Sequence, residues 1–501
     1  MIFRDWLKEL DYTLLQGSVD VETEEVIYDS RKAAPGKVFV AMKGIRVDGH
    51  SFIPQVLKAG VRVLVTERPV EEELKNSGLS EDELKQVTVV MVEEGRHALA
   101  LLSAARFDHP AKKLVMIGVT GTKGKTTTTH MIRAILLAAG KKVGMIGTTG
   151  TVIGDVVTPT LNTTPESYEL HQAFAQMVEA GCEYAVMEVS SQGIKMHRTD
   201  GLYFNYAIFT NISPDHIGPG EHADFEEYLY YKTRLLNMCG IGLVNKDDEH
   251  APQIIKAANC ELYTYSEESK EADFVASDIR YVSQPDFVGT EFHISGKYDM
   301  EVRLGIPGLF NVVNALAAVS VCSFLGLDQA RISHALENIR VNGRMEIVYT
   351  SERCTVLVDY AHNAVSMESL LSTLRDYKPK RLVCVFGCGG NRSKDRRYSM
   401  GEIGGKMADL SIITADNSRY EKVEDIIADI RGSIEKTGGK FIEIPDRREA
   451  IRYSILHAQP GDMVAVIGKG HEDYQEINGV RHHFLDREVI EETVKELGEK
   501  A

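Results

Sequence analysis

Residues 121–128 read GTKGKTTT and offer three kinds of group that bind phosphate. Gly121 and Gly124 would let backbone N–H groups approach phosphate oxygens, the Lys125 ammonium can bridge β and γ phosphates, and the Thr126 hydroxyl can hold magnesium. The spacing G-x-x-G-K-T is shorter than G-x-x-x-x-G-K-[ST], so this is not the common switch or motor loop. We expect a phosphate loop for ATP and Mg²⁺. The alternative is a glycine-rich turn that binds no nucleotide.

The sequence on both sides of this loop supports that interpretation. The apolar run LVMIGV before it predicts a strand. The apolar residues Met131, Ile132, Ile135 and Leu136 follow it at helical spacing, and Gly140 is the expected helix terminator. Strand, loop and helix in this order form the context that a phosphate loop requires.

Length and charge limit the class of protein. The chain has 501 residues, and about 150 residues per domain predicts roughly three domains. The net charge of -16 argues against nucleic acid or an anionic membrane as a partner, because both are bound by clustered Lys and Arg. We therefore expect small-molecule substrates.

The compartment is indicated by the amino terminus and the cysteines. The start, MIFRDWLKELDYTLLQG, lacks the continuous apolar core of a secretory signal, and the sequence has no apolar run of about 18 residues. The seven cysteines are scattered, as expected for thiols of a reducing compartment. Cys384 and Cys388 lie close in sequence, but a zinc site would need two more ligands. We expect a cytoplasmic protein.

Three segments differ in pattern, and they predict an α/β protein with domains at residues 1–108, 109–340 and 341–501. The first contains short β-rich runs such as KVFVAM and VRVLV. The second contains the phosphate loop. In the third, runs such as TVLVDYAH, RLVCVFGCGG, LSIITADNSR and MVAVIGKGHE alternate with amphipathic helices, which indicates a parallel, doubly wound sheet. Polar clusters follow these strands, where such sheets bind ligands.

Further motifs resemble one family along the whole chain. DSRKAAPGKVFVAMKG, MEVSSQGIKMHR, FTNISPDH, YYKTRLL, GLFNVVNALAAV, GRMEIV, VDYAHN, GCGGNR and GKGHEDYQ are similar to the Mur ligases and occur in the same order. The resemblance implies an N-terminal domain for the UDP end of the substrate, a central P-loop-type ATPase domain, and a C-terminal Rossmann-like domain for the amino acid. It also implies a protein that works in peptidoglycan synthesis, and we expect a monomer.

The family resemblance implies an ADP-forming ligase that makes a carbon–nitrogen bond. Such an enzyme would add the third stem-peptide residue to UDP-N-acetylmuramoyl-L-alanyl-D-glutamate through an acyl phosphate. Forming the acyl phosphate and then attacking it with an amine both place negative charge between anions that repel each other, so positioning and charge neutralisation must supply most of the catalysis. The alternatives are a sibling ligase, such as a folylpolyglutamate synthetase, and an inactive nucleotide-dependent regulatory homologue.

The resemblance assigns metal ligands beside Thr126. Glu188 and His216 match family ligands, and Lys232 matches the lysine that the family carries as a carbamate, an anion with two oxygens. Without the family, Glu188 could cap a helix, His216 could be a hydrogen-bonded core histidine, and Lys232 could be a solvated helix lysine. The implied catalytic residues are Lys125, Glu188, His216, Lys232 and Arg344.

The remaining implied contacts form three sets. The nucleotide set comprises Gly121, Thr122, Lys123, Gly124, Lys125, Thr126, Thr127, Asn314, Arg344 and His362. The UDP-muramoyl set comprises Ser30, Asn162, Thr163, Thr164, Ser190 and Arg198. The amino-acid set comprises Arg392, Asp416, Asn417, Ser418, Arg419, Gly468 and Glu472. The sequence departs from the family pattern at Lys123, where asparagine is usual, at Gln192, where histidine is usual, and at Met196, where glutamine is frequent.

The motif DNSR at residues 416–419 bears on which amino acid is added. Family members that use meso-2,6-diaminopimelate carry DNPR, whose arginine pairs with the distal carboxylate that lysine lacks. Here Arg419 is kept and Ser418 replaces proline. We expect meso-diaminopimelate, with L-lysine or another diamino acid as the alternative. Arg419 could also simply pair with a surface acid such as Glu421.

Overall fold

The computed structural model describes residues 1–44 and 47–498. The chain divides into two compact units, Met1–Tyr265 (unit 1) and Ser266–Ala501 (unit 2). The chain is therefore divided at one point, between Tyr265 and Ser266. The predicted domain boundaries at residues 108 and 340 remain predictions. Across the described ranges, no helix combines the length and apolar character needed to span a membrane.

Unit 1 begins with a small sheet that carries the predicted short strands. Its elements are α1 (Phe3–Trp6), β1 (Thr13–Gln16), β2 (Glu25–Ile27), β3 (Lys37–Ala41), α2 (Ile53–Lys58), β4 (Val63–Thr66), α3 (Glu71–Lys75), α4 (Glu81–Leu84), β5 (Thr88–Met91) and α5 (Gly95–Arg106). The strand order is β1-β5-β4-β3-β2, with β2 to β5 parallel and β1 antiparallel. Strands β3 and β4 are almost entirely buried, as expected for β-branched runs inside a parallel sheet.

The rest of unit 1 contains the phosphate loop. Its elements are β6 (Val115–Thr120), α6 (Lys125–Ala138), β7 (Val143–Gly147), β8 (Gly150–Ile153), β9 (Val156–Thr158), α7 (Ser167–Glu179), β10 (Tyr184–Glu188), α8 (Ser191–Lys195), β11 (Phe204–Phe209), α9 (Phe225–Thr233), β12 (Cys239–Asn245), α10 (Ala251–Ala257) and β13 (Glu261–Ser266). The predicted strand, loop and helix are confirmed, and Gly140 follows α6 with φ of 77°.

The order of the parallel strands brings three loops to one edge. β6 lies between β10 and β11, with Glu188 opposite Val119 and Phe209 opposite Thr120. The carboxyl ends of all three strands therefore point the same way. The phosphate loop, the end of β10 and the residues after β11 must meet there.

Unit 2 contains both antiparallel strands and a doubly wound sheet. Its elements are β14 (Phe274–Gln284), β15 (Phe287–Gly296), β16 (Met300–Leu304), α11 (Leu309–Phe324), α12 (Gln329–Glu337), β17 (Glu346–Thr350), β18 (Cys354–Asp359), α13 (Ala364–Asp376), β19 (Arg381–Phe386), α14 (Lys394–Met407), β20 (Leu410–Ile413), α15 (Val423–Thr437), β21 (Phe441–Glu443), α16 (Arg447–Leu456), β22 (Asp462–Ile467), β23 (Tyr474–Ile477), β24 (Val480–His483) and α17 (Asp486–Glu496).

The six-stranded sheet of unit 2 confirms the predicted parallel arrangement of the C-terminal strands. Its order is β17-β18-β22-β19-β20-β21, and every pair except β17 with β18 is parallel. The central strand β22 is buried along its whole length. The polar clusters that follow β18, β19, β20 and β22 consequently lie at one edge of this sheet.

Candidate active site

The phosphate loop is a tight connection that only glycine permits at two positions. Gly121 has φ of 143°, and a Cβ there would lie 1.9 Å from the Thr210 hydroxyl oxygen. Gly124 has φ of 87° and directly precedes Lys125, the first residue of α6. The loop therefore ends at a helix N-terminus, whose backbone N–H groups favour an anion.

Residues after β11 hold this loop in place. The Asn211 side chain accepts a hydrogen bond from the Lys123 N–H at 2.9 Å and donates to the Lys123 carbonyl at 3.1 Å. Its own carbonyl accepts from the Thr122 N–H at 2.9 Å. The Thr122 and Tyr228 hydroxyl oxygens lie 3.0 Å apart. These contacts thus hold the loop in this conformation.

Two lysine amines meet at one carbonyl oxygen. The Lys125 Nζ donates to the Gly121 oxygen at 2.8 Å, and the Lys232 Nζ donates to the same oxygen at 2.7 Å. Lys232 is 2% exposed, and its Nζ lies 4.7 Å from the centre of the Tyr228 ring. Burial and then the nearby charge of Lys125 hold the pKa of Lys232 well below its usual range. An ammonium at Lys232 is therefore disfavoured, and Lys232 is not a solvated helix lysine.

Glu188 contacts the first turn of α6. Its Oε1 accepts from the Thr126 hydroxyl at 3.0 Å and from the Thr148 N–H at 2.9 Å, while its Oε2 accepts from the Thr148 hydroxyl at 3.2 Å. The residue is 1% exposed. Thr127, next in α6, is also buried. The structure thus places a buried carboxylate and a hydroxyl side by side next to the phosphate loop.

His216 lies in the loop after β11 and is not a core residue. Its side chain is 52% exposed, and its Nδ1 lies 3.1 Å from the Glu221 carboxylate. Its ring centre is 6.2 Å from that of Tyr228, the residue that also contacts Thr122 and lies under Lys232. His216 is therefore beside the phosphate loop, although within the described residues its polar contacts do not include Glu188.

Four residues of the predicted UDP-muramoyl set form one network. Thr164 is buried, donates its hydroxyl to the Glu188 carbonyl at 3.0 Å and accepts from the Ser190 N–H at 2.9 Å. Arg198 donates to the Thr164 carbonyl at 3.0 Å. The Thr163 hydroxyl lies 3.1 Å from that of Thr148, which contacts Glu188. This network joins the predicted substrate residues to the predicted metal ligand.

Two members of the same set lie apart from that network. Asn162 is exposed immediately before Thr163. Ser30 is half-buried and begins a short turn that the Asp29 carboxylate caps. Among the described contacts, none joins Ser30 or Asn162 to Thr164.

The predicted nucleotide residues of unit 2 include an aromatic cluster. The Arg344 guanidinium lies 4.8 Å from the centre of the Tyr360 ring. The His362 ring is 4.7 Å from the same ring, and its Nδ1 is 2.9 Å from the Tyr360 carbonyl. Asn314 is buried in α11, where its side chain donates to the Asn311 side chain at 3.3 Å. Arg344 and His362 are thus brought together through Tyr360.

The predicted amino-acid residues meet at the carboxyl ends of β20 and β22. The Glu472 carboxylate accepts from the Asn417 amide at 2.9 Å and from the fully buried Lys469 at 3.3 Å. Lys469 also donates to the Asn417 side-chain oxygen at 3.2 Å. A Cβ on Gly468 would lie 2.7 Å from the Asp416 carboxylate, so glycine permits this close approach. Glu472 is held in a fixed position.

Arg419 follows this cluster in a left-handed conformation, with φ of 52°. It donates from Nη1 to the Gly390 carbonyl at 2.8 Å, and its Nε lies 3.6 Å from the Glu476 carboxylate. Glu421 is bound instead by the buried Arg397 at 2.8 Å. The alternative pairing of Arg419 with Glu421 is therefore not present.

The loop after β19 packs against the same segment. A Cβ on Gly390 would lie 1.9 Å from the carbonyl oxygen of Ser418, which is itself 3% exposed. Arg392, two residues later, is exposed. Close packing thus joins the glycines of GCGGNR to the DNSR segment.

Four residues of this site were not predicted from the sequence. They are Asn211, Tyr228, Thr148 and Lys469, which contact the phosphate loop, Glu188 or Glu472. Asn211 and Lys469 lie inside motifs that resemble the family, FTNISPDH and GKGHEDYQ. Tyr228 precedes Lys232 by four residues in α9, a spacing that places both on one helix face. We find no comparable signal for Thr148.

Known protein families and individual known proteins match the chain along most of its length. Residues 22–107 match the model described as Mur ligase family, catalytic domain, residues 119–322 match Mur ligase middle domain, and residues 343–470 match Mur ligase, glutamate ligase domain. The chain is 39% identical over 498 residues to the UDP-N-acetylmuramoyl-L-alanyl-D-glutamate--2,6-diaminopimelate ligase of Caldanaerobacter subterraneus subsp. tengcongensis, with 98% of each protein covered. It is 38% identical to the Clostridium perfringens protein of the same name, covering 98% of this chain and 99% of that protein.

A solved structure gives the same result. The structure described as UDP-N-acetylmuramoyl-L-alanyl-D-glutamate--2,6-diaminopimelate ligase superposes with a TM-score of 0.72 at 30% identity, covering 95% of this chain and 96% of that one. This likeness confirms the predicted α/β fold class with a central ATPase domain and a Rossmann-like C-terminal domain. By sequence along its whole length and by fold, the chain belongs to the Mur ligase family.

Proposed function

We propose that this chain is an ATP-dependent, ADP-forming ligase that adds meso-2,6-diaminopimelate to UDP-N-acetylmuramoyl-L-alanyl-D-glutamate. The observation that carries the proposal is 39% identity over nearly the whole chain to a protein named for this reaction. The phosphate loop, the buried carboxylate beside it and the arginine of DNSR supply the groups that the reaction needs.

The reaction has two steps. A carboxylate oxygen of the D-glutamate residue attacks the γ-phosphorus of ATP, and the bond from that phosphorus to the departing ADP breaks. The amine of the amino acid then attacks the acyl carbon, loses a proton, and phosphate leaves. The first step brings two anions together and the second builds negative charge on the acyl oxygen beside the phosphate, so Lys125 and the backbone of the phosphate loop contribute mainly by neutralising and positioning phosphate. Asn314, Arg344 and His362 remain predicted nucleotide contacts.

The oxygen groups near the loop suit magnesium. Glu188 and Thr126 offer a buried carboxylate and a hydroxyl 3.0 Å apart, which are ligand types that this hard cation prefers. Magnesium would supply charge neutralisation for the transferred phosphoryl group. We assign Thr126, Glu188, His216 and carbamylated Lys232 as the residues that hold it.

Carbamylation would replace a buried positive charge at Lys232, beside that of Lys125, with a negative charge. Two amines share the Gly121 carbonyl, and Lys232 is almost completely buried, so a second ammonium there is unfavourable. A neutral Lys232 amine can attack carbon dioxide, forming an N–C bond and releasing one proton. The product is an anion. Carbon-13 NMR of active enzyme in labelled bicarbonate should show a carbamate signal that is missing from Lys232→Ala, whereas fully active enzyme without this signal would contradict the assignment.

Arg419 and Glu472 supply selectivity for the far end of the amino acid. A guanidinium has five N–H donors, more than the contacts of Arg419 with Gly390 and Glu476 use, so it can also bind the distal carboxylate through two parallel bonds. Glu472 can accept a bond from the distal ammonium. L-lysine lacks the distal carboxylate and would bring only an ammonium towards Arg419.

A ligation assay tests the proposal directly. Purified protein receives ATP, Mg²⁺ and the UDP-muramoyl dipeptide with meso-diaminopimelate, L-lysine or L-ornithine, and both ADP and product mass are followed. We expect ADP release that requires both dipeptide and amino acid, with meso-diaminopimelate preferred at equal concentration. Preference for L-lysine would refute the amino-acid assignment. ADP release independent of dipeptide would refute the ligase assignment.

We also propose that the chain acts as a monomer in the cytoplasm. Its seven cysteines are all free thiols, which is typical of a reducing compartment. Light scattering after size-exclusion chromatography should give a mass near 55.7 kDa, and twice that mass would contradict the monomer.

A further inference from the structure

Two histidines and an aspartate converge in unit 1 outside the proposed active site. His97 lies in α5, while His197 and Asp200 lie in the turn after α8, about 100 residues later. The His97 Nδ1 is 2.6 Å and the His197 Nδ1 is 2.8 Å from the same Asp200 oxygen, Oδ2. The three ligand atoms all lie within 4.8 Å of one another.

We propose that His97, His197 and Asp200 form a binding site for a divalent transition-metal ion such as Zn²⁺. Imidazole nitrogens favour zinc, nickel and copper over magnesium, and two histidines with one carboxylate are a common set of protein ligands for zinc. Water would complete the coordination. This site is separate from the oxygen-rich magnesium site and does not depend on the proposed ligase activity.

The ligand atoms, which lie within 4.8 Å of one another, need an adjustment to accept a metal. Tetrahedral ligands about 2.1 Å from zinc are about 3.4 Å apart, so each nitrogen would move roughly 0.7 Å away from the carboxylate. The side chains of His97 and His197 are 44% and 39% exposed, so an ion can reach them from solvent. Side-chain rotation at this partly open site can supply the movement.

The backbone holds the second histidine towards the first. His197 has φ of 57°, and its turn is closed by bonds from the His197 N–H to the Ile194 carbonyl at 3.0 Å and from the Arg198 N–H to the Gly193 carbonyl at 2.9 Å. A non-glycine residue adopts this conformation only when the surroundings fix it. The turn therefore fixes the backbone of one of the three ligands.

The site would join two parts of unit 1 beside a predicted substrate residue. Arg198 directly follows His197 and pairs with Glu166 at 2.8 Å, while Arg96, directly before His97, lies 3.5 Å from the same carboxylate. A bound metal would add a second link between these segments. Zinc should therefore raise the thermal unfolding temperature of the protein.

Calorimetric titration of metal-stripped full-length protein with Zn²⁺, without ATP, tests the site. We expect one tight equivalent in wild type and in His482→Ala, a control at an exposed histidine of β24. His97→Ala should weaken zinc binding by more than the roughly 10- to 100-fold typical for loss of a residue that only supports a ligand. Co²⁺ should give the visible absorption of a tetrahedral site in wild type and lose it in the variant.

His97→Asn separates metal binding from simple hydrogen bonding. Its amide can still donate to Asp200 but is a poor zinc ligand, so the metal-free variant should melt like metal-free wild type and gain nothing from zinc. Wild-type protein that binds Zn²⁺ no more tightly than His97→Asn, or tight binding unchanged by His97→Ala, would overturn the proposal and leave a hydrogen-bonded contact only.

Discussion

A buried ion pair in unit 2 should make Asp486 essential for stability. Arg447 at the start of α16 donates twice to Asp486 at 2.7 Å, and both side chains are 0% exposed. Arg447 also donates to the carbonyls of Ala415 and Ile467, at 3.2 and 3.0 Å. Asp486→Ala removes the only carboxylate that these contacts supply, and breaking such a pair costs about 3 to 5 kcal/mol. That is a large part of a typical stability of about 5 to 15 kcal/mol.

The chain provides a matched control for this substitution. Arg448 pairs with Glu492 between the same two helices, but these side chains are 47% and 54% exposed. Glu492→Ala should therefore change stability far less, because water already screens the pair. The same protein fold and the same helix interface are kept in both variants.

Urea unfolding and hydrogen exchange measure the difference. Asp486→Ala should lower the urea midpoint and speed amide exchange in α16, α17 and β22, while Glu492→Ala stays close to wild type. Because the carbonyls of Ala415 and Ile467 directly precede Asp416 and Gly468, Asp486→Ala should also raise the KM for the amino acid. Equal midpoints and equal exchange in the two variants would refute the reasoning.

Four further predictions concern single side chains. Lys125→Ala should abolish ligation yet keep the affinity for UDP-muramoyl dipeptide measured by calorimetry; loss of both in a folded protein would contradict the separate assignment of these ligands. Lys232→Ala should lose most activity and recover part of it with short carboxylic acids, and no recovery would count against an anion at this position. Arg419→Ala should raise the diaminopimelate KM far more than the ATP KM, and equal changes would show that Arg419 does not select the amino acid. Burial lowers the pKa of His171 to about 3, so only the unfolded state gains this proton between about pH 6.5 and 3. As the pH falls through that window, His171 should contribute a loss of stability of about 1.4 kcal/mol per pH unit, so wild type should lose stability more steeply than His171→Phe in urea titrations at several pH values.

Local sequence patterns and motifs were sufficient to predict part of the structure. The phosphate loop, its strand and its helix follow from glycine spacing and apolar periodicity, which act over a few residues. The contacts that fix the loop could not be predicted this way. Asn211 and Tyr228 reach Lys123 and Thr122 from 88 and 106 residues away, and such pairings depend on strand order. The contact between Lys469 and Asn417 could not be predicted for the same reason, because these residues lie 52 positions apart in the sequence.

Strand pairing supports the proposed role of Arg419, although serine stands at position 418 where the family resemblance leads us to expect proline. Proline would stiffen this turn by fixing φ at the preceding residue. Here the Arg419 N–H donates to the Glu476 carbonyl at 3.0 Å, and the Asn478 N–H donates to the Arg419 carbonyl at 2.6 Å. These bonds attach the backbone of Arg419 to the hairpin of β23 and β24, while Gly390 packs on Ser418 from the other loop. Two backbone bonds thus restrict the main chain of Arg419, and the bond from its Nη1 to the Gly390 carbonyl directs the guanidinium, with serine at position 418.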